Sequence, residues 1–427
     1  MVKNILLNKY VKQVGLYQAA LIASRVVGLL RDMLIVLFLG TTLITDQLFF
    51  LFSFTDILMT VLIGGGAIVY VSRQLAVDSS DKEKLKTVHS SILFYFSVSI
   101  LIIMFEVSTN NFIGNLLFQP LQDNKGLNTS YFIALFSLLF AAPLVGFYGY
   151  FLHIEKLYLQ PFLNFIFTIV LILLLSTLFL LDNLSPVHAA LILLLSTAIR
   201  FFIAYMVFKK WSWGITNWFQ LHLHSAPKFY RDLFLSGLSA GLLVVLPYLF
   251  RAELPLYGEG LYAVATLAFR VSDLVLALLI VPLTLIFIGK VDINSNLKLL
   301  GYIATFFILG MIFPTLYFFL QLLGGNSWVE LLGTDLELLN NIILSHALMV
   351  LSYGLSMLLI QKHYNKTAAV ISLAVMLIFL FSKDLELLDL NMYFYLFYSV
   401  YVVYIFLALS LLVVGMANRL NFNDLVS

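Results

Sequence analysis

Apolar runs of twenty or more residues recur from one end of this 427-residue chain to the other, separated by short polar breaks. Coiled as an α-helix at ~1.5 Å per residue, a run of that length crosses the ~30 Å hydrocarbon core of a bilayer. Lipid offers backbone N–H and C=O groups no partner, so each run must satisfy its own hydrogen bonds. The residue balance agrees, with 62% hydrophobic, 11% charged and a mean hydropathy of +1.02. The sequence therefore reads as an all-α polytopic membrane protein.

Hydrophobic runs set against polar breaks predict twelve spans, near residues 15–40, 45–72, 88–107, 129–152, 160–181, 186–208, 232–251, 257–289, 298–322, 338–361, 367–382 and 391–416. Basic residues fall unevenly on the two sides. One set of alternate loops holds most of them, from Lys3, Lys9 and Lys12 through Lys209 and Lys210 to Arg419, and the other holds only Lys125, Arg251 and Lys383. The positive-inside rule then places both termini in the cytoplasm. Four basic residues, Arg25, Arg31, Arg200 and Arg270, fall within spans.

The polar stretch 209–231 divides six spans from six, giving lobes at 1–208 and 232–427. It carries Trp211, Trp213 and Trp218, and indole rings favour the headgroup level, so the stretch is expected to lie along the cytoplasmic interface. A weak internal repeat supports two halves. Sliding the chain by 217 residues lays Thr55-Asp56-Ile57-Leu58 on Ser272-Asp273-Leu274-Val275 and opens both halves on the same side, a parallel repeat.

Several chemistries drop out. With no cysteine there is no disulfide or thiol chemistry. The start runs through Lys9 and Lys12 into a full-length span without a small-residue cleavage pattern, so no cleavable signal peptide is expected. Gly64-Gly65-Gly66 is followed by no Gly-Lys-Ser/Thr, which excludes a phosphate loop. Pro143, Pro247, Pro282 and Pro314 predict bends. His188 and His346 are isolated, and no metal, cofactor or nucleic-acid motif is evident. No nucleophile elbow or catalytic carboxylate pair appears, and the largest outward loop, 108–128, holds neither histidine nor arginine. The sequence argues against an enzyme.

The charges that remain are therefore the informative ones. Arg25 lies roughly 15 Å of helix from one end of the first span and Arg31 roughly 13 Å from the other. An arginine at that depth costs ~2.5–3.5 kcal/mol on insertion scales and usually faces a bundle interior or a wet cavity. At ~100° per residue, Arg25 and Arg31 fall about 60° either side of Gly28, with Asp32 in the same arc. One face thus carries all the charge around a central glycine, the pattern of an anion site. Arg270 has two readings, a local pair with Asp273 or a cavity-lining cation. Asp46 also has two, an N-cap of the second span together with Thr45 or a functional acid. Asp56 and Asp273 are expected to pack helices, and Arg200 to snorkel to the cytoplasmic face.

The run Ala23-Ser24-Arg25-Val26-Val27-Gly28-Leu29-Leu30-Arg31-Asp32, then Phe38-Leu39-Gly40 and Thr45-Asp46-Gln47-Leu48-Phe49-Phe50, resembles the opening of the MurJ (MviN) lipid II flippases of the multidrug/oligosaccharidyl-lipid/polysaccharide (MOP) exporter superfamily. That family reads Ser-Arg-x-x-Gly-x-x-Arg-Asp, then Phe-Gly, then Thr-Asp-Ala-Phe-Phe. Arg270 falls where it has Tyr-Ala-Asp-Arg-Leu. The resemblance implies two six-helix lobes around a central cavity, and movement of a polyprenyl-diphosphate-linked saccharide by alternating access. It matches Arg25, Arg31 and Arg270 to diphosphate-binding arginines, and Asp46 to a functional acid. Asp32 and Gly28 complete the set as coupling or structural residues. Membrane lipids and cell-envelope synthesis enzymes are the implied neighbours. Where the family's second span carries Asn-Leu-x-Arg-Arg and Ala-Glu-Gly-Ala, this chain has Asp56 to Ala67 without those arginines or the glutamate. Family members also usually carry fourteen helices, whereas twelve is the superfamily core. The substrate expectations are therefore lipid II or another lipid-linked glycan such as an O-antigen or exopolysaccharide unit. A small-molecule antiporter and a non-transporting scaffold are the rivals.

Overall fold

The computed structural model of the chain describes residues 2–40, 42–117, 125–154, 156, 158–180, 185–211, 224, 226–256, 258, 260–267, 269–270, 348–349, 351–352, 354–356, 358–359, 365–383 and 390–423. Among these, every regular element is helical: α1 (Val2–Leu39), α2 (Leu43–Val77), α3 (Asp81–Ser108), α4 (Phe112–Leu117), α5 (Lys125–Phe136), α6 (Leu138–Ala141), α7 (Leu144–His153), α8 (Leu159–Leu180), α9 (Pro186–Trp211) and α10 (Pro227–Glu253). Further helix covers 261–267 with 269–270, Asn365–Lys383 and Leu390–Asn423. Asp81–Ser108, Leu127–His153, Leu159–Leu180, Pro186–Lys210 and Tyr395–Val414 are long and apolar enough to cross a membrane. The expected ninth span, 298–322, lies outside the described residues, as do Asp273, Pro282, Pro314, His346 and Trp213 and Trp218 of the linker. Its remaining tryptophan, Trp211, ends α9, and Pro227 to Arg231 open α10, so both ends of that polar stretch are helical.

The sequence explains where these helices stop. Gly40 follows α1 with φ +70, a left-handed conformation that a Cβ disfavours, and its N–H closes on the Val36 carbonyl at 2.8 Å. Thr42 then caps α2, accepting from the Thr45 N–H at 3.4 Å. Ser80 and Glu83 form a capping box at α3, and the backbone N–H groups of Ser79 and Ser80 both donate to the Glu83 carboxylate. The bend expected at Pro143 is real. The path Leu127–His153 breaks at Ser137 and again at Ala142-Pro143, where Val145 and Gly146 bond three residues back. The Ser99 hydroxyl helps satisfy the Leu138 carbonyl there, at 3.2 Å. By contrast, α2 runs unbroken through Gly64-Gly65-Gly66, and Pro247 sits inside α10.

Two compact units result, 1–237 with 247–278, and 238–246 with 279–427. In the first, α1 packs on α8, α2 on α7, and α5 on α9. Its core joins Ala67, Val71 and Leu75 of α2 to Tyr95 of α3, Phe147 and Phe151 of α7, and Phe208 of α9. Close helix approach depends on small residues, because lipid tails supply no hydrophobic drive between helices. A Cβ on Gly149 would overlap Val71, and one on Gly146 would stand 2.6 Å from Ile92 Cγ1 and 3.0 Å from the Val88 carbonyl oxygen. In the second unit, the ring of Phe397 meets Phe379 at 5.9 Å and Tyr401 at 5.2 Å, pairing the last two helices. Outward positions such as Leu180, Phe381 and Phe406 remain exposed, as lipid contact requires.

His224, just before α10, ties the start of the second sequence half to the α2–α3 hairpin. Thr87 gives its only hydroxyl proton to Asp78 Oδ2 at 2.6 Å, so His224 Nε2, 2.9 Å from the same oxygen, is the protonated nitrogen. The ring stacks on Phe229 at 4.3 Å, and its backbone N–H donates to Ser90 Oγ. Burial, and then the nearby Lys86 charge, lower the His224 pKa, with Asp78 and Glu83 opposing. A lowered folded-state pKa means the docking contribution is full above the ordinary histidine value and is lost as pH falls through the lower folded value.

Two outcomes follow. Chymotryptic cleavage between α9 and α10 should increase on acidification from pH 7.5 to 5.5 in wild type relative to His224→Gln, which should show no such difference. Gly149→Ala should destabilise the protein by about 1–3 kcal/mol through overpacking, read as a lowered Tm in detergent.

Candidate functional site

The charged face predicted on α1 is assembled around Asp32. Its side chain is fully buried and that of Arg31 nearly so. Arg31 Nε and Nη2 both reach Asp32 Oδ1, at 2.6 and 2.5 Å, although neighbouring helical residues diverge by ~100° and the long arginine must fold back to do so. Arg270 Nε donates to the other oxygen, Oδ2, at 3.1 Å. One carboxylate thus holds two guanidinium groups, one from the preceding residue and one from a residue 238 positions further along the chain. Asp273, the local partner that the sequence offers Arg270, lies outside the described residues; Arg270 reaches across to α1 at Asp32. The Arg31 guanidinium also stands 5.2 Å from the Phe52 ring centroid, a cation–π contact that lessens the cost of its burial.

Gly28 has nothing within 4 Å of a built Cβ, so open space lies beside the centre of this face. Arg25 is half-buried and interacts electrostatically with Tyr17, two turns earlier. It stands six residues from Arg31, ~9 Å of helix rise. The structure therefore brings Arg31, Asp32 and Arg270 into direct contact and leaves Arg25 on the same helix beyond the open space.

Asp46 does not cap its own helix, since Thr42 does that. Its buried carboxylate instead accepts from the backbone N–H groups of Gly260 at 2.9 Å and Ala263 at 2.8 Å. Asp46 is thus the N-terminal cap of the helix at 261–270, while standing in the first turn of α2. The positive ends of two helix dipoles converge on one carboxylate. The 217 residues that separate Asp46 from Ala263 are also the offset that overlays the two sequence halves.

Two buried charges were hidden from the sequence. Arg251 was placed in an outward loop, yet it ends α10, is 4% exposed and is enclosed by rings. Its guanidinium lies 4.2 Å from the Tyr248 centroid and 5.1 Å from that of Phe269, and it donates to Thr266 Oγ1 at 3.0 Å and the Pro247 carbonyl at 3.3 Å. The Tyr248-x-x-Arg251 spacing, one helical turn, was the available signal. Glu106, also fully buried, accepts from the N–H groups of Ile113 and Gly114 and from the Tyr131 hydroxyl, closing the end of α3 onto α4.

The helix that opens at 261 is consequently held at three places: Asp46 at its start, Arg251 along its side, Asp32 at Arg270. No group of three or more potential metal ligands occurs among the described residues. Removing the shared carboxylate leaves two buried cations without it, whereas removing Arg270 leaves the Arg31–Asp32 pair intact. Asp32→Ala should therefore cost about 3–5 kcal/mol, the scale for breaking a buried ion pair, and Arg270→Gln clearly less, in denaturant titrations of the detergent-solubilised protein. Asp46→Ala should cost about 0.5–2 kcal/mol and raise amide exchange at Gly260 and Ala263 selectively.

No protein-family model matches the sequence, and no curated protein does. Solved structures do match. The lipid II flippase MurJ in an inward closed conformation superposes with a TM-score of 0.67 at 16% identity, over 94% of this chain and 87% of that one. An outward-facing multidrug resistance MATE family transporter of the MOP superfamily gives 0.67 at 14% identity, over 95% and 96%. The MATE transporter VcmN of Vibrio cholerae in its bent form gives 0.59 at 16% identity, over 98% of both chains. The chain has the fold common to the MurJ flippase and the MATE transporters, that of an all-helical, multi-pass membrane protein.

Proposed function

We propose that this protein is a flippase that moves an undecaprenyl-diphosphate-linked saccharide, lipid II first among them, across the bacterial cytoplasmic membrane by alternating access. The observation that carries the reading is the convergence of Arg31 and Arg270 on one buried carboxylate, with Arg25 and the open space at Gly28 on the same helix face. A diphosphate presents the same paired oxygens as Asp32 with more negative charge, and guanidinium forks bind such groups by bidentate, charge-assisted hydrogen bonds. Two arginines and one aspartate leave one net positive charge, to which Arg25 adds another. Asp32 then acts as the internal ligand that orders Arg31 and Arg270 when no diphosphate is bound. Asp46 couples the start of α2 to the helix that carries Arg270, so a pull on Arg270 is transmitted along that helix to the α1–α2 corner.

No covalent chemistry is assigned, and the protein is not read as an enzyme. Both termini are assigned to the cytoplasm, and the partners are the lipid-linked saccharide diphosphate and membrane lipids, with cell-envelope synthesis enzymes as neighbours. The MATE likeness favours a second reading, a small-molecule antiporter, which would not need the arginines for transport.

The deciding experiment is rescue of cells depleted of their own lipid II flippase. Wild type should restore growth, while Arg25→Ala and Arg270→Ala, expressed to the same level, should not. Arg25→Lys keeps the charge but loses the planar fork and should be clearly impaired. Absence of rescue by well-expressed wild type would move the substrate to another lipid-linked glycan. Export of cationic dyes unaffected by Arg25→Ala would favour the antiporter.

A further inference from the structure

Arg200 is a second intramembrane cation, remote in sequence from the Asp32 cluster. It stands on α9, ~21 Å of helix after Pro186 and ~16 Å before Trp211. Snorkelling predicts a side chain running towards Lys209 and Lys210. The structure instead pins it sideways: Nε donates to the Tyr148 hydroxyl at 2.9 Å, and the guanidinium carbon lies 5.7 Å from the Tyr148 centroid and 5.4 Å from that of Phe167. The side it occupies on α9 is that of the buried Leu193, Thr197 and Ala204, while Leu195, Phe202 and Met206 expose the opposite side. Arg200 therefore points into the first unit and away from lipid, yet it is only half-buried, so space remains beside it.

What it lacks is negative charge. Among the described residues, no carboxylate lies within ion-pair distance of Arg200, and its Nη1 and Nη2 groups meet no acceptor. Tyr148, nearly fully buried, uses its hydroxyl oxygen to accept from Arg200 and finds no acceptor for its own proton among those residues. Two kinds of donor are left without protein acceptors at one place. An intramembrane charge of this kind is expensive unless an opposite charge or polar partner joins it. With rings beside the guanidinium, only its edge is open to a ligand.

We propose that Arg200 and Tyr148, with Phe167 beside them, form a binding site for a small monovalent inorganic anion of the halide class. One uncompensated positive charge is neutralised by one such ion. A phosphate or other dianion would need a second cation, and none stands there among the described residues. The donors are the Arg200 Nη groups and the Tyr148 hydroxyl, and the site is separate from the arginines that share Asp32.

The test is thermal unfolding of the purified full-length chain in detergent with sodium bromide titrated against sodium gluconate at constant ionic strength. Wild type should show a saturable, bromide-dependent rise in Tm, because a ligand bound only by the folded state stabilises it. Arg200→Gln should abolish the rise, Arg270→Gln should retain it, and Tyr148→Phe should weaken bromide about tenfold. A wild type without saturable bromide dependence would overturn the assignment, as would Arg200→Gln with the wild-type rise, or a rise lost only in Arg270→Gln. If Arg200→Gln does not fold, Tyr148→Phe decides, since undiminished bromide affinity there would remove the hydroxyl from the site and the proposal with it.

Discussion

The burial of Asp32 organises the charged region of the first unit. A carboxylate removed from water must be paired and hydrogen-bonded, and two guanidinium groups, one on each oxygen, meet that demand. Arg31 comes from the next residue of the same helix and Arg270 from a segment 238 positions away. This one carboxylate therefore joins α1 to the helix at 261–270. The two sequence halves are tied not by an apolar contact that tolerates sliding but by directional, charge-assisted bonds with few alternative geometries.

The other buried acids follow the same logic with backbone donors. Asp46 takes two N–H groups at the start of the helix at 261–270, and Glu106 takes two at the start of α4. A helix start exposes N–H groups without internal partners and carries the positive end of the dipole, so it can stand where a cation otherwise would. Ordinary local caps, Thr42 and Ser80, open α2 and α3. The difference is one of range: Thr42 orders four residues, and Asp46 orders a helix more than two hundred residues on.

In the flippase we propose, these bonds are the exchangeable ones: a diphosphate would replace Asp32 at Arg31 and Arg270 oxygen for oxygen, whereas no ligand of similar chemistry could replace a packed Phe147 or Tyr95. The close glycine contacts of α7 with α2 and α3 give the first unit a tightly packed frame. Arg200 lies in the same frame with its cation–π rings and a single hydroxyl acceptor, a different way of holding a guanidinium in lipid.

Periodicity and apolar length were sufficient to determine the all-helical membrane class, the end of the first span at Gly40, the break at Pro143, and the shared face of Arg25, Gly28, Arg31 and Asp32. Each of these depends on residues within a few turns of one another, where helix geometry converts spacing directly into position. Partnership across the chain was not legible. Arg270 could pair with Asp273 as well as with Asp32, Asp46 could cap its own helix as well as another, and Arg251 looked like a loop cation before Tyr248, Thr266 and Phe269 closed around it. Arg200 likewise had a free path to the headgroups on paper. A charged side chain takes whichever compatible group desolvation brings near it, and that choice is made by the packing of whole helices, which only the tertiary structure decides.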